Sequence, residues 1–303
     1  MKIFFFTAKA QKRFGSESIK GIQVCNYLKK YFDCECTRDL SKTNNSIVIF
    51  IKDTRVNYDI LKNSKNNNNI NIIDVIDYRK KNNNIIDFYE NKFIDYIDGF
   101  IMSNIFSKNE FDIKYKNKFT YVIPHHYDVR MNDFSCKKDE HIKILFNGDS
   151  SINNCLHLDK LRLRDDFLIN DSCNSFEEFL NNDMYKKCLC HINIRDENSF
   201  GFKYKPCMKL AHAVASDSII ITTYDMSIRD ILPNDYPYIL INHEYDTVIN
   251  MIDYVKKTYN TDVWFKALNI LNELKEKLNI EYIVKNYYCD FINKIILTVK
   301  MND

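Results

Sequence analysis

The chain has 303 residues, a formal net charge of +2, 45% apolar and 28% charged residues. Those proportions belong to an ordinary soluble globular protein and exclude a disordered chain, a collagen-like repeat and a coiled coil. The length fits two domains or one large one, and the near-neutral balance gives no reason to expect a polyanionic partner.

Along the chain, short apolar runs alternate with helical patterns. Lys2–Thr7 reads as a buried strand and Glu17–Phe32 as an amphipathic helix, with Ile19, Ile22, Val24 and Leu28 near a 3.6-residue period. Ser46–Ile51, Asn71–Asp77, Gly99–Met102 and Phe119–Ile123 follow as short apolar strands. Strand–helix alternation of this kind predicts βαβ units and a parallel sheet covered on both faces. Near Pro124 the pattern breaks at Pro124-His125-His126-Tyr127-Asp128 and a charged stretch, Lys137 to His141, which marks a domain boundary. A second series begins with Ile142–Phe146 and Phe167–Ile169. A helix over Phe176–Lys187 follows, with Ser175 as its cap and Glu178 three residues on. Next come the strand Leu189–Ile194, the helix Lys205–Ala215, and the strands Ser218–Thr223 and Ile239–Asn242. The tail from Asp246 is helical, with Leu268, Leu271, Leu274 and Leu278 as an apolar stripe. The expected fold class is α/β, two Rossmann-like doubly wound domains facing a cleft. Residues 1–125 form the first, 126–285 the second, and 286–303 a helix that packs back on the first. Ligands of such sheets bind at the C-terminal ends of the strands.

Composition carries further readings. Gly occurs five times, so each is expected to serve backbone shape. Asn clusters at Asn66–Asn69 and Asn82–Asn84, and with Ile, Lys, Tyr and Phe this reads as the coding bias of an AT-rich genome, that of a large DNA virus or an AT-rich microbe. There are ten cysteines and no CxxC. The pairs Cys34/Cys36 and Cys188/Cys190 fall in strand-like stretches and read as small buried hydrophobes, reduced in a cytosolic compartment. Cys190-His191 is at most half a zinc site. The apolar start is too short for a signal peptide, and no run approaches the roughly 20 apolar residues of a membrane span.

Chemistry concentrates in Phe200-Gly201-Phe202-Lys203-Tyr204-Lys205-Pro206-Cys207-Met208-Lys209-Leu210. The stretch follows a strand and opens a helix, with Pro206 suited to the first turn. Lys205 and Lys209 then lie one turn apart on one face, with Arg195 and Lys203 just before. Cations at a helix N-terminus make a phosphate or diphosphate site; the plainer reading is a solvated basic loop over a buried helix. His125 at the junction suits a sugar-hydroxyl contact or a general base, or one of His125 and His126 is solvated while the other packs on the linker. His157, His191 and His212 read as hydrogen-bonded structural histidines. Trp264, Tyr287, Tyr288 and Phe291 read as core. Lys160, Arg162 and Arg164 alternate with Leu161 and Leu163, as a nucleic-acid strip or as one strand with a solvated basic face. No GxGxxG, GxxxxGKS or GxSxG occurs, which disfavours dinucleotide, P-loop and α/β-hydrolase readings.

The stretch His191 to Leu240 resembles the donor-binding half of a GT-B glycosyltransferase, similar to family-4-like enzymes of bacterial and viral polysaccharide clusters. The resemblance rests on the KPxxKLxxAxA helix from Lys205, the strand Ile219–Ile221, the segment Asp230-Ile231-Leu232, and Asn234-Asp235-Tyr236-Pro237-Tyr238. Gly15-Ser16-Glu17-Ser18-Ile19-Lys20-Gly21 resembles the loop after the first strand, and Val122-Ile123-Pro124-His125-His126 the interdomain linker. The family's E-x7-E pair is absent, Ala211 standing where an acid is usual, and Gly148-Asp149 stands where Gly-Arg is common.

The resemblance implies a glycosyltransferase of the hexosyltransferase type. It would move a sugar from a UDP- or GDP-sugar donor to a glycan or glycoconjugate acceptor, with retention, in the cytoplasm. Loss of a diphosphate needs its developing charge neutralised. No two Asp residues stand one residue apart, so the Asp-x-Asp metal motif is absent and Lys, Arg and a helix N-terminus take that role, with no cofactor, no metal and no nucleic-acid partner. The expected donor-binding residues are Gly15, Ser16, Gly148, Arg195, Lys203, Lys205, Lys209 and Asp230. The expected catalytic residues are His125 and Lys205. The alternatives are a catalytically degenerate sugar-nucleotide or glycan-binding subunit, and a sugar-nucleotide 2-epimerase of the same fold.

Overall fold

The computed structural model describes residues 1–7, 17–51, 58–76, 94–131, 142–147, 156–170 and 188–302. The chain divides into two compact units. One comprises Met1–Pro124, Tyr204–Pro206 and Ile280–Asp303, the other His125–Lys203 and Cys207–Asn279.

The first unit is built on six strands: β1 (Ile3–Phe6), β2 (Cys34–Thr37), β3 (Ile47–Ile51), β4 (Ile70–Asp74), β5 (Gly99–Met102) and β6 (Phe119–Val122). They lie in the order β2-β1-β3-β4-β5-β6, every pair parallel. The second holds β7 (Ile144–Asn147), β8 (Phe167–Asn170), β9 (Cys190–Asn193), β10 (Ile219–Thr223) and β11 (Ile239–Leu240), in the order β11-β10-β9-β7-β8, again all parallel. Every residue of β1, β3, β5, β9 and β10 is buried. That is why these strands read as continuous apolar runs: a sheet covered on both faces has no solvent side to fill with polar residues. The fold class is the α/β class expected from the sequence.

Three local expectations are corrected. The helix drawn over Lys205–Ala215 begins at Met208, with Cys207 as its cap residue at φ −89° and ψ 80°. Pro206 explains the shift, since a proline disfavours helical backbone in the residue before it. Lys205 therefore precedes the helix rather than sharing a face with Lys209. The basic–apolar alternation at 160–164 is not a strand. Leu158–Leu161 is a helical turn that buries Leu158 and Leu161, while Leu163 is exposed. Its cations are engaged: Arg164 reaches both oxygens of Asp166 at 2.9 Å, Arg162 lies 3.8 Å from Asp159, and Lys160 stands over the Tyr245 ring. The third correction is the first helix, whose opening turns over Glu17–Gln23 are π-helical before α-helix resumes at Val24. The helix expected over 176–187 lies outside the described residues. In the tail, helices run over Tyr245–Lys257 and Asp262–Lys277, and the buried stripe of the second is Trp264, Ala267, Leu271 and Leu274.

Two features read as compositional bias have structural work in the first unit. Asn71 is fully buried, accepts from Ser64 at 2.6 Å, and donates to the carbonyls of Leu61 and Tyr96 at 3.1 and 2.8 Å. Asn69 bridges Ser46 N and Thr43 Oγ1. Gly99 is required by a neighbour: a Cβ there would stand 2.5 Å from the Phe119 carbonyl oxygen on the adjacent strand.

The π-helical turns have one larger consequence. Widening the turn changes which side chains face inward, and Lys20 is 2% exposed. Its Nζ donates to the Ile123 carbonyl at 3.3 Å and lies 3.9 Å from Asp74 Oδ2 at the end of β4. The Tyr288 ring, from a second π-helical segment, Val284–Tyr288, stands 6.0 Å from the ammonium. Burial pulls the Lys20 pKa down and pushes the Asp74 pKa up, each opposed by the other's charge. Removing one charge strands the other in the core, at about 3–5 kcal/mol, whereas removing both costs much less. Asp74→Leu and Lys20→Met should therefore each lower the urea-derived unfolding free energy strongly. The double variant should be more stable than either single one; additive losses would show that the two groups do not interact.

Candidate functional site

The second unit concentrates polar side chains where its strands end. Asn193 closes β9, Thr222 and Thr223 close β10, and all three are buried. Asp225, two residues past β10, is completely buried and joins these ends. Its Oδ1 accepts from Ile228 N at 3.0 Å and Ser227 Oγ at 2.8 Å, capping the short helix Met226–Arg229. Its Oδ2 accepts from Asn193 Nδ2 at 3.1 Å and Arg195 Nη1 at 3.0 Å. Arg195 also donates to the Gly201 carbonyl at 2.9 Å, while its backbone N–H donates to Thr223 Oγ1 at 3.1 Å. One carboxylate and one guanidinium thus fix three chain segments: the ends of β9 and β10, and the turn that opens the helix Phe200–Tyr204.

The predicted cations are spread over that helix and beyond it. Lys203 lies two residues beyond Gly201 in the second unit, and is half-buried. Lys205 belongs with the first unit, in a segment held there by Ser103 Oγ donating to the Tyr204 carbonyl at 2.6 Å and by the Tyr204 hydroxyl donating to Glu110. Lys209 is in the first turn of the helix Met208–Ala215, its ammonium 4.8 Å from the centre of the Phe146 ring on β7. Asp230 is exposed and ends the helix Met226–Arg229. Gly15, Ser16 and Gly148 lie outside the described residues. The structure therefore places Arg195, Lys203, Lys209 and Asp230 in the second unit and Lys205 in the first. Asp225 and Asn193 were not foreseen. The signal for Asp225 was present as an acid just after a β-branched strand and three residues before a capped N–H.

The histidines divide by environment. His125 is buried, and its Nδ1–H donates to the His126 carbonyl at 2.8 Å, which leaves Nε2 as the basic nitrogen of the neutral ring. His157 meets the His243 carbonyl at 2.7 Å, on a backbone of φ 62°. His191 is hydrogen-bonded to Ser216 Oγ at 3.2 Å, and His212 Nδ1 accepts from Asn147 Nδ2 at 3.0 Å. Burial holds His191 down to about 3, helped by the nearby His212 and Lys209, and holds His212 down to about 4 against the pull of Asp128. Both rings are neutral structural groups, as the sequence suggested. Burial likewise pushes the Cys207 thiol up to about 11 despite its place at a helix start. Among the described residues no cluster of three His, Cys, Asp or Glu side chains could hold a metal ion, and no helix is long and apolar enough to cross a membrane.

No protein-family description and no curated protein matches the sequence. Solved structures do match. A glycosyltransferase from Rickettsia africae ESF-5 superposes with a TM-score of 0.65 over 97% of this chain and 98% of its own, at 12% identity. Anabaena HepE in complex with UDP-glucose gives 0.65 over 97% of this chain and 100% of its own, at 9% identity. The GtfA/B complex gives 0.55 at 11% identity over 91% of this chain, which spans 60% of the matched GtfA/B chain. The chain has the two-sheet α/β fold of GT-B glycosyltransferases.

Two outcomes follow. Truncating Asp225 to Ala leaves a nearly buried guanidinium without its carboxylate, and should lower the unfolding free energy by about 3–5 kcal/mol, read by urea denaturation at neutral pH. The histidines give a pH signature. Unfolded histidine titrates near 6.5, so between about pH 6.5 and 4 the unfolded chain binds protons that native His191 and His212 refuse. Stability then falls as pH falls through that window, by up to about 1.4 kcal/mol per pH unit for each ring. His191→Gln should flatten the wild-type slope by about half that combined amount, measured as the difference between urea titrations at neutral and mildly acidic pH.

Proposed function

We propose that the protein is a metal-independent glycosyltransferase that moves a sugar from a nucleotide-sugar, UDP- or GDP-linked, to a glycan or glycoconjugate acceptor. The observation that carries this reading is the built end of β9 and β10. Buried Asp225 and largely buried Arg195 hold the Gly201 carbonyl, and with it the helix Phe200–Tyr204 that carries Lys203, at the edge where sheets of this class bind ligands, on a fold shared almost end to end with UDP-glucose-bound HepE. Lys209 and Lys205 are assigned to the diphosphate, with Lys203 and Arg195 in support and the backbones of Gly15, Ser16 and Gly148 approaching it. Asp230 is assigned to the sugar or ribose. His125 is the candidate acid–base group through Nε2. Residues 126–285 would take the donor and 1–125 the acceptor, with 286–303 completing the first domain. The chemistry asked of these residues is electrostatic. As the glycosidic bond to the diphosphate breaks, charge grows on the leaving oxygens, and fixed cations stabilise it without reorganising. Retention and a family-4-like membership rest on the motif resemblance.

The test is thermal stability against UDP-, GDP-, ADP- and CMP-sugars with and without EDTA, followed by an assay for released nucleoside diphosphate. One nucleotide class should raise Tm, with EDTA making no difference, and product should form with a suitable glycan. Lys209→Ala should weaken donor binding by roughly 10–100-fold, the worth of one charge-assisted contact. Saturable binding without turnover would replace the enzyme by the degenerate binding subunit, and interconversion of the donor sugar by the epimerase. No shift with any nucleotide would remove the donor site altogether.

A further inference from the structure

The sheet of the first unit changes direction at β1. The chain runs from β1 out to β2 on one side and returns to β3 on the other. Parallel sheets take ligands outside the carboxyl ends of their strands, beside such a switch point. At that end of β1 and β2 lies an open groove of about 540 Å³, lined by Thr7, Glu35, Thr37, Arg38, Asp39 and Lys42. Its volume falls within the about 300–1,000 Å³ of small-molecule sites, and is far above the roughly 30 Å³ share of a single water. A bare ion would leave most of it unfilled.

The groove wall is hydrogen-bonded backbone rather than free loop. The Thr7 N–H donates to the Thr37 carbonyl at 3.1 Å, which sets the two strand ends side by side. The Thr37 hydroxyl donates to the Asp39 carbonyl at 3.0 Å and accepts from the Asp39 N–H at 3.1 Å. Asp39 then caps the helical turn Leu40–Lys42, its Oδ1 accepting from the N–H and the hydroxyl of Ser41 at 3.0 and 2.6 Å. Arg38 and Lys42 are carried on this segment, one before the cap and one in the turn it closes.

The charges of the groove are not balanced. Glu35 is paired with Lys2 at 2.9 Å, whereas Arg38 and Lys42 are exposed and, among the described residues, neither has an ion-pair partner. With Lys2 offsetting Glu35, two cations face the one carboxylate of Asp39. Each acid also keeps an oxygen that accepts nothing from the described residues, Oε1 of Glu35 and Oδ2 of Asp39. A neutral sugar would leave both cations unused, and a bare anion would leave the carboxylate oxygens unused while being repelled by them. A sugar with one anionic group uses both sets. A guanidinium matches a carboxylate or phosphate, and carboxylate oxygens accept from hydroxyls.

We propose that this groove binds a sugar bearing a single anionic group, a phosphate ester or a carboxylate. Arg38 and Lys42 hold the anion, and Glu35 and Asp39 hold the hydroxyls. Assigning that sugar as the acceptor rests on the glycosyltransferase reading above; its binding does not.

The test compares hexoses that differ only at C6: glucose, glucose 6-phosphate and glucuronate, with inorganic phosphate as the bare anion. Dissociation constants are measured on the full-length chain by ligand-observed NMR at low salt. At least one charged hexose should bind about tenfold or more tightly than both glucose and inorganic phosphate, the worth of one charge-assisted contact. The tighter of the two identifies the anion. The double variant Arg38→Ala/Lys42→Ala should weaken that binding by about tenfold or more. Lys62→Ala, at an exposed lysine of the same unit outside the groove, should not. Exposed positions tolerate such changes; circular dichroism checks the fold, and the wild-type ranking alone decides if the double variant is unfolded. Charged hexoses that bind no better than glucose would overturn the proposal. So would inorganic phosphate binding as tightly as either, an adventitious ion only, or a loss no larger in the double variant than in Lys62→Ala. The nucleotide panel separates this from the reading above. A nucleotide shift without charged-hexose binding removes the groove and keeps the donor site. Charged-hexose binding without any nucleotide shift keeps the groove and removes its assignment as the acceptor seat.

Discussion

Among the described residues, the polar groups at the strand ends are arranged by the burial of two all-parallel sheets on both faces. A strand such as Ile47–Ile51 or Ile219–Thr223 has no solvent side, so it cannot offer a functional group along its length. Polar chemistry is displaced to strand ends, and parallel strands bring those ends to the same edge. In the second unit the consequence is Asn193, Thr222, Thr223 and Asp225, contiguous in space though they come from separate stretches of chain. In the first it is Asp74, Thr37 and the groove residues that follow β2. Function at these edges is a by-product of how the cores are made.

The edge of the second unit is built round a fixed ion pair. Asp225 is saturated with four donors, so its carboxylate is a fixed acceptor whose role is to place Arg195. Arg195 in turn spends one N–H on a backbone carbonyl, which converts a flexible turn into a positioned one. His191 and His212, close by, are held neutral by burial and add no competing charge. The field at this edge is therefore set by lysine and arginine side chains on braced backbone, the arrangement that favours an anionic ligand without cost at the moment of binding.

How much of this the sequence disclosed depends on the kind of signal each feature leaves. Strands announced themselves, because burial on both faces writes runs such as Ile47-Val48-Ile49-Phe50-Ile51 directly into the chain. Arg195, Lys203 and Lys209 were legible because cations after a strand are unusual in an apolar neighbourhood. The helix starts at Met208 rather than at Lys205 with Pro206 in its first turn, because the effect of a proline on the residue before it is the stronger constraint. Lys20 was invisible: a lysine in an amphipathic pattern reads as solvated, and nothing in the residues marks a π-helical turn that widens the helix and aims it inward. Asn69 and Asn71 were hidden by abundance, since two hydrogen-bonded asparagines cannot be told from their many exposed neighbours by composition.

The sequence resemblance sets Ala211 at a position where an acid is usual. Ala211 is buried on the helix that carries Lys209, within a run, Leu210 to Ser216, in which no side chain is exposed. A carboxylate at that position would need a partner in the core, because an unpaired buried charge is costly. His191 and His212, two buried histidines of the same unit, are kept neutral by burial. The helix thus contributes its lysine and its N-terminal end without an acid to offset them. An edge without that carboxylate repels an anion less and offers hydroxyl groups one acceptor fewer. Asp230, on the exposed turn past β10, is an acid that stands off this helix.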